Sequence, residues 1–393
     1  MKRSLFILVL SLGLIGVIAA QDTSNADRMI ENFENAGKEV KVRILRTAQE
    51  EDVEGMGPLY RTALQYVVAN SGDISGDEQL QELGRLSVEG IVRTGYSEAA
   101  RDVWQLFENY QDTQARVQLL QALAAVDAED RRLLPSLNDW VAERHNLKRS
   151  GSNLDERVLR AALETLGTYD DPSSFDLLLE AVLLQYSRNV GDTAESVLFE
   201  LNGEAVQMAT QAIRRRDAAD KLDALDYLLD SDELSEEQKS EVALAALENA
   251  LSSDPVDSSA REALRQVRYA SAEWLRRTGY DEATPAMVRH FNQTFLDYDR
   301  GRIRKTWVLE AIAGLGAMDT EAAAERLTQF MDLLNTYTEN DRAYDTQITL
   351  AVIENLEQLG YPIAYNALFY ASLLDYPGRV KEAARTAMAA LAR

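Results

Sequence analysis

The chain has 393 residues, no cysteine, two histidines and a formal charge of −24. Without cysteine there is no disulfide, no thiolate nucleophile and no Cys-ligated zinc, so the fold must be held by packing alone. So acidic a chain repels nucleic acid and anionic lipid, which removes both as general partners.

The first segment, MKRSLFILVLSLGLIGVIAAQD, places Lys2 and Arg3 before an apolar run that ends in Ala19 and Ala20. That is the layout of a secretory signal peptide, so residues 1–20 are expected to be removed and the mature chain to be exported, periplasmic or extracellular. The rival reading is a retained anchor, since the run is close to the lower limit of about 17 apolar residues for a span. No second long apolar stretch occurs, so no membrane span is expected after cleavage. Residues 21–76 contain one good amphipathic helix, LYRTALQYVVAN, and otherwise match the later pattern poorly. They are expected to form an irregular helical cap that covers the first apolar face of the helices beyond residue 76.

From residue 77 to 393 apolar residues recur at three- and four-residue spacing, which is the period of amphipathic helices, and no alternating strand stands out. Within residues 92–126 one helix is predicted to end at Gly95, a second to run from about Ser97 to Tyr110 and a third from about Thr113 to Val126. Connections this short make consecutive helices antiparallel neighbours. RHNLKRSGSNLDE (144–156), basic and then Gly/Ser-rich, reads as a mobile loop or hinge with a solvated His145. SDELSEEQKSE (231–241) reads as a helix start with Ser235 as N-cap.

One phrase returns: RTGYSEAA at 93–100 and RTGYDEAT at 277–284. Aligning Gly95, Gly167, Gly279, Gly316 and Gly360 places Ile91, Leu163, Leu275, Ile312 and Leu356 four residues earlier, with Tyr96, Tyr280 and Tyr361 directly after three of them. A helix stopped by a left-handed glycine closes an apolar contact in this way while satisfying its last carbonyls. Ser97 and Asp281 are then expected as N-caps of the next helix, and Pro172 and Pro362 as first-turn residues. The glycines lie 72, 112, 37 and 44 residues apart, and Gly203 lies 36 after Gly167, so one unit of roughly 40 residues repeats.

The stretches IRKTWVLEAIAGLGAMDTEAA (303–323), RVLRAALETLGTYDDPSS (157–174), TLAVIENLEQLGYPIAY (349–365) and RVKEAARTAMAAL (379–391) resemble the second helix of a HEAT repeat running into the next repeat. Ile303–Arg304, Ala311, Leu315–Gly316 and Asp319 match that pattern; Val380–Lys381 and Ala384 match in part. The likeness covers residues 80–393, with 204–260 the most degenerate, and Asp127 and Ser231 stand where a terminating glycine is expected. It implies an all-α fold, an α-solenoid of antiparallel helical hairpins in a HEAT-like superhelix. It also implies a protein-interaction role, and it carries no catalytic residue onto this chain.

Little chemistry is legible. His145 and His290 stand alone, so no metal cluster and no cofactor are expected; His290 reads as a surface or half-buried side chain. Two acidic runs near the calcium-loop pattern, from Asp73 and from Asp230, fail at the glycine and ligand places. Trp104, Trp140, Trp274 and Trp307 read as core. Basic clusters stand out: Arg214–Arg215–Arg216; Arg300, Arg302, Arg304 and Lys305; and Arg144 with Lys148 and Arg149. They read either as complements to helix C-termini or, for Arg300 and Arg304 at the opening of a second helix, as a grip on an acidic partner. The function expected is a non-catalytic scaffold for a protein or peptide. The alternative is a secreted helical-toroid enzyme acting on polysaccharide, a lyase or glycoside hydrolase, which would need clustered His, Tyr, Asn or paired carboxylates.

Overall fold

A computed structural model describes residues 25–50, 55–340, 342 and 344–392, so the expected signal peptide at 1–20 lies outside the described residues. Among those residues there is no β-strand, and the helices fall into two compact units, Met1–Asn202 and Gly203–Arg393.

The first unit contains α1 (25–35), α2 (Lys38–Glu50), α3 (Gly57–Ala69), α4 (Glu78–Thr94), α5 (Ala100–Asn109), α6 (Thr113–Asp127), α7 (Leu134–Arg149), α8 (Glu156–Tyr169), α9 (Phe175–Leu183) and α10 (Arg188–Glu200). From α3 onward consecutive helices pair as hairpins: α3 with α4, α5 with α6, α7 with α8, α9 with α10. The even-numbered helices α2 to α10 also pack each on the next, forming one layer, while α3 touches α5 and α7 touches α9 in the other.

The second unit contains α11 (Ala205–Arg215), α12 (Lys221–Asp230), α13 (Glu236–Ser252), α14 (Ser258–Thr278), α15 (Thr284–Asp299), α16 (Lys305–Gly316), α17 (Glu321–Glu339), α18 (Thr346–Leu359), α19 (Tyr365–Leu373) and α20 (Gly378–Leu391). The same rule holds there: each odd helix pairs with the even helix after it, and each helix meets its equivalent in the next hairpin. The core is the interior of these hairpins, filled by residues such as Leu59, Leu83, Leu163, Leu247, Ile312, Leu327 and Val352, all fully buried. Burial of that kind removes about 25 cal/mol of unfavourable hydration per Å² of apolar surface.

The repeat length is written into the polar contacts. Lys38, first residue of α2, pairs at 2.5 Å with Asp77, which caps α4 by accepting from the Gln79 and Leu80 N–H groups. Lys305, first residue of α16, pairs at 2.9 Å with Asp345, which caps α18 through the Gln347 N–H. Thr113, first residue of α6, likewise donates to Asp155, the N-cap of α8. Arg61 reaches Asp102 at 2.8 Å and Arg289 reaches Glu248 at 2.9 Å. All these partners stand 39 to 42 residues apart, one hairpin to the next. A buried lysine solves the remaining end problem twice. Lys41 donates to the Phe33 and Glu34 carbonyls, and Lys221 to those of Ile213 and Arg214 at 2.6 and 3.1 Å, satisfying carbonyls a helix C-terminus leaves open.

The glycines divide by physical cause. Gly95, Gly279 and Gly360 end α4, α14 and α18 with φ of 60°, 62° and 73°. After Gly95 the Tyr96 N–H donates to the Ile91 carbonyl and the Gly95 N–H to Val92, both at 3.1 Å, and the Tyr280 N–H reaches Leu275 at 3.3 Å. These are the six-to-one and five-to-two bonds of a Schellman cap. Gly167 and Gly316, expected to do the same, are helical instead, Gly167 inside α8 and Gly316 as the last residue of α16. The left-handed residue is Asp170 or Asp319, three positions later, at φ 49° in each case, a conformation a short polar side chain tolerates. What these two glycines supply is room. A Cβ at 167 would stand 3.0 Å from Val197 of α10, and one at 316 would overlap Asn355 Oδ1 of α18.

Other expectations are corrected in the same way. Ser97 and Asp281 do not cap: each opens a single 3₁₀ turn, and α5 and α15 begin at Ala100 and Thr284 without a side-chain cap bond. Ser235 does cap, in a reciprocal box with Gln238. Residues 144–149 of the expected loop belong to α7. His145 is therefore buried, its Nδ1 3.0 Å from Tyr186 Oη and its Nε2 3.0 Å from the Leu177 carbonyl. Asp127, in place of a glycine, ends α6 and holds the turn into the next hairpin by accepting from the Leu133 N–H at 2.8 Å and Tyr169 Oη at 2.9 Å while fully buried. Beside that carboxylate and out of water, the Tyr169 phenol is held far above its usual range, burial being the larger cause.

Candidate functional site

In the first unit residues of α4 and α6 line a groove of about 530 Å³, within the range of ligand-sized clefts. Its floor is apolar, with Ile74, Val88, Leu106 and Leu119 among its residues, and Gly84 lies beside them. Val92, at the rim, is 39% exposed.

Charge is balanced along the α4 wall. Arg85 binds Glu82 at 2.7 Å and Glu89 at 2.6 Å, and Arg46 adds a 3.0 Å contact to Glu82. The hydrogen bond from Arg85 holds the Glu82 carboxyl below its usual range and raises the guanidinium in turn. These pairs are largely exposed, so they fix the wall's shape more than they stabilise it. Arg93 donates to the Gln49 carbonyl at 2.7 Å and to Tyr60 Oη at 2.8 Å, anchoring the far end. Tyr110 closes the α5 side; burial, then nearby Asp112, pushes its phenol up.

The α6 wall differs. Gln114, Gln118 and Gln121 line the groove, all are exposed, and none hydrogen-bonds to the described residues. Their spacing of four and three residues puts the amides in one row along the helix. Each primary amide offers donors and an acceptor together, which is what a peptide group also presents. Gln81 opposite is partly occupied, donating to the Ile74 carbonyl at 2.9 Å.

The basic residues singled out by sequence lie elsewhere. Arg214 and Arg215 are exposed in the last turn of α11, and Arg216 follows them, its Nη1 donating to the Ala212 carbonyl. Arg300 ends α15 and does not open the next helix; Arg304 is the N-cap position of α16 and Lys305 its first residue. Lys305 is engaged with Asp345, and Arg302 turns back to Asp297 at 3.4 Å, so two of the four are already held by carboxylates of this chain. Of the tryptophans, Trp104 and Trp140 are buried; Trp307 is half-buried and stacked on Tyr269 at 4.0 Å, and Trp274 is half-buried beneath Arg277. His290, expected to be a surface or half-buried side chain, is buried too. No group of three or more His, Cys, Asp or Glu suited to a metal occurs among the described residues, and none of their helices is long and apolar enough to cross a membrane.

No protein-family model and no curated protein matches the chain. Among solved structures it is similar to a protein described as a circular tandem repeat protein with novel repeat topology and enhanced subunit contact surfaces. The two are 17% identical over 93% of this chain and 88% of that one, with a TM-score of 0.25.

Proposed function

We propose that the protein is an exported, HEAT-like helical-repeat scaffold that holds an extended segment of a partner protein in the α4–α6 groove, without catalysis. The observation that carries this reading is the row of unpartnered glutamine amides above an apolar floor. From Gln114 to Gln121 the row covers about 10 Å of helix at 1.5 Å per residue, the length of about three extended residues. Because the charges lining the groove balance, Arg85 and Arg93 against Glu89 and Asp112, it favours a neutral segment read through its backbone and small apolar side chains. Stacked hairpins supply such surfaces without a catalytic constellation.

Selection of peptides from a displayed library on the full mature chain tests this. Neutral, extended sequences should be enriched, and a triple Gln114→Ala, Gln118→Ala, Gln121→Ala variant with unchanged circular dichroism should bind them at least tenfold more weakly, given about 0.5–1.5 kcal/mol per hydrogen bond lost. Equal binding by the variant, or no enrichment, refutes the groove. Release of reducing ends from a polysaccharide by the purified protein would refute the scaffold reading itself. Export is tested separately by sequencing the N-terminus of the protein recovered from the cell envelope, which should begin near Gln21.

A further inference from the structure

The second unit contains a polar pocket of about 230 Å³ that the groove reading does not use. Along one face of α14, Arg261, Arg265 and Arg268 follow at spacings of four and three, and Arg302 reaches the same pocket from the loop after α15. Ser253, Asp254 and Pro255, just beyond α13, close the other side. Four guanidinium groups thus face two carboxylates, Asp254 and Asp297, in a chain whose charge is otherwise strongly negative. Asp297, 6% exposed, is shared: Arg268 Nη2 and Arg302 Nη1 each lie 3.4 Å from it. Arg265 Nη2 is held by Glu262 at 2.9 Å.

Two buried donors are unanswered. Arg268, which lines the pocket, is 6% exposed, and its buried Nη1 has no acceptor; the buried Nε of Arg265 has none either. A buried cation is normally paired and fully hydrogen-bonded, because an unmet N–H loses its water without replacement. Burial pulls the Arg268 guanidinium below its usual range, which an added negative charge would oppose. Planar guanidinium forks match the oxygens of carboxylate and phosphate.

We propose that this pocket binds a small oxyanion, a phosphate or a short carboxylate, held by Arg261, Arg265, Arg268 and Arg302, independently of any peptide in the α4–α6 groove. Its size admits a free anion of a few heavy atoms. Isothermal titration of the full mature chain at low salt, with inorganic phosphate in one arm and succinate in the other, tests the proposal and distinguishes the two sources. One saturable site with a dissociation constant below about 1 mM is expected in at least one arm, weakening with salt as exposed charges are screened.

Arg261→Gln and Arg302→Gln, exposed at the rim, should keep the fold and each weaken binding at least tenfold, whereas Arg214→Gln with Arg215→Gln should not change it. Because Arg268→Gln alone takes from the buried Asp297 carboxylate one of its two arginine partners, it is made together with Asp297→Asn, and the folded double variant should lose binding. No saturable binding of either anion, or affinity unchanged in both rim variants, overturns the proposal.

Discussion

Replacing His290 by Phe isolates one buried titration. The imidazole is 2% exposed, its Nδ1 has no partner, Tyr269 packs edge-on at 5.4 Å, and Arg268 adds a positive charge nearby. Burial first, and that charge second, lower its pKa from 6.5 to about 3. A group depressed in this way is neutral in the fold but protonated in the unfolded chain below 6.5. Its contribution is therefore complete above that value and lost as pH falls from 6.5 toward 3. Integrating the two titrations between about pH 7 and pH 5 gives a loss of roughly 2 kcal/mol from this residue alone. Urea unfolding of wild type and His290→Phe at both pH values, followed by circular dichroism, measures it. The many carboxylates titrate in both proteins and cancel in the comparison. Wild type should lose about 2 kcal/mol more than the variant; equal losses would show that His290 is solvated or paired and refute the reasoning.

Gly90→Ala should cost about 1–3 kcal/mol by overpacking, because the new methyl carbon would overlap the fully buried Tyr60 ring; unchanged urea midpoints would mean that α3 and α4 can separate freely. Gly95→Ala meets no atom within 4 Å but must keep φ near 60°, so the same assay should show a smaller loss of about 1 kcal/mol. Asp127→Ala removes the acceptor for the Leu133 N–H and Tyr169 Oη, and two buried donors left unmet should cost about 2–5 kcal/mol, seen as a lowered unfolding midpoint and faster amide exchange in the α6–α7 turn.

The helices and their pairing were legible because their determinants are local. The 3.6-residue apolar period, the short connections, Ser235 with Gln238, and the Gly–Tyr endings at 95 and 279 each act within a few residues. Glycine showed where this reading stops. The same letter at 167 and 316 answers a neighbouring helix, Val197 in one case and Asn355 in the other, and no local window contains that neighbour. His145 misled for a related reason: its basic, Gly/Ser-rich flank reads as loop, while Leu177 and Tyr186, more than 30 residues on, enclose it.

The groove and the arginine pocket were missed because each is assembled across hairpins. Gln114, Gln118 and Gln121 are an ordinary polar helix face until α4 stands opposite, and Arg302 joins Arg261, Arg265 and Arg268 only when the α15–α16 loop folds back over α14. The contact of one hairpin with the next did leave a signal, though not at either site: acidic N-caps preceded by Lys or Thr about 40 residues earlier, as in Lys38–Asp77 and Lys305–Asp345.

Sequence alone determined that the described chain is built of paired helices, because amphipathic period and end chemistry are properties of adjacent residues. Tertiary structure decided which glycines turn and which make room, which histidines lose their water, and which polar side chains meet, because those depend on atoms one repeat away in the chain and a few ångströms away in space.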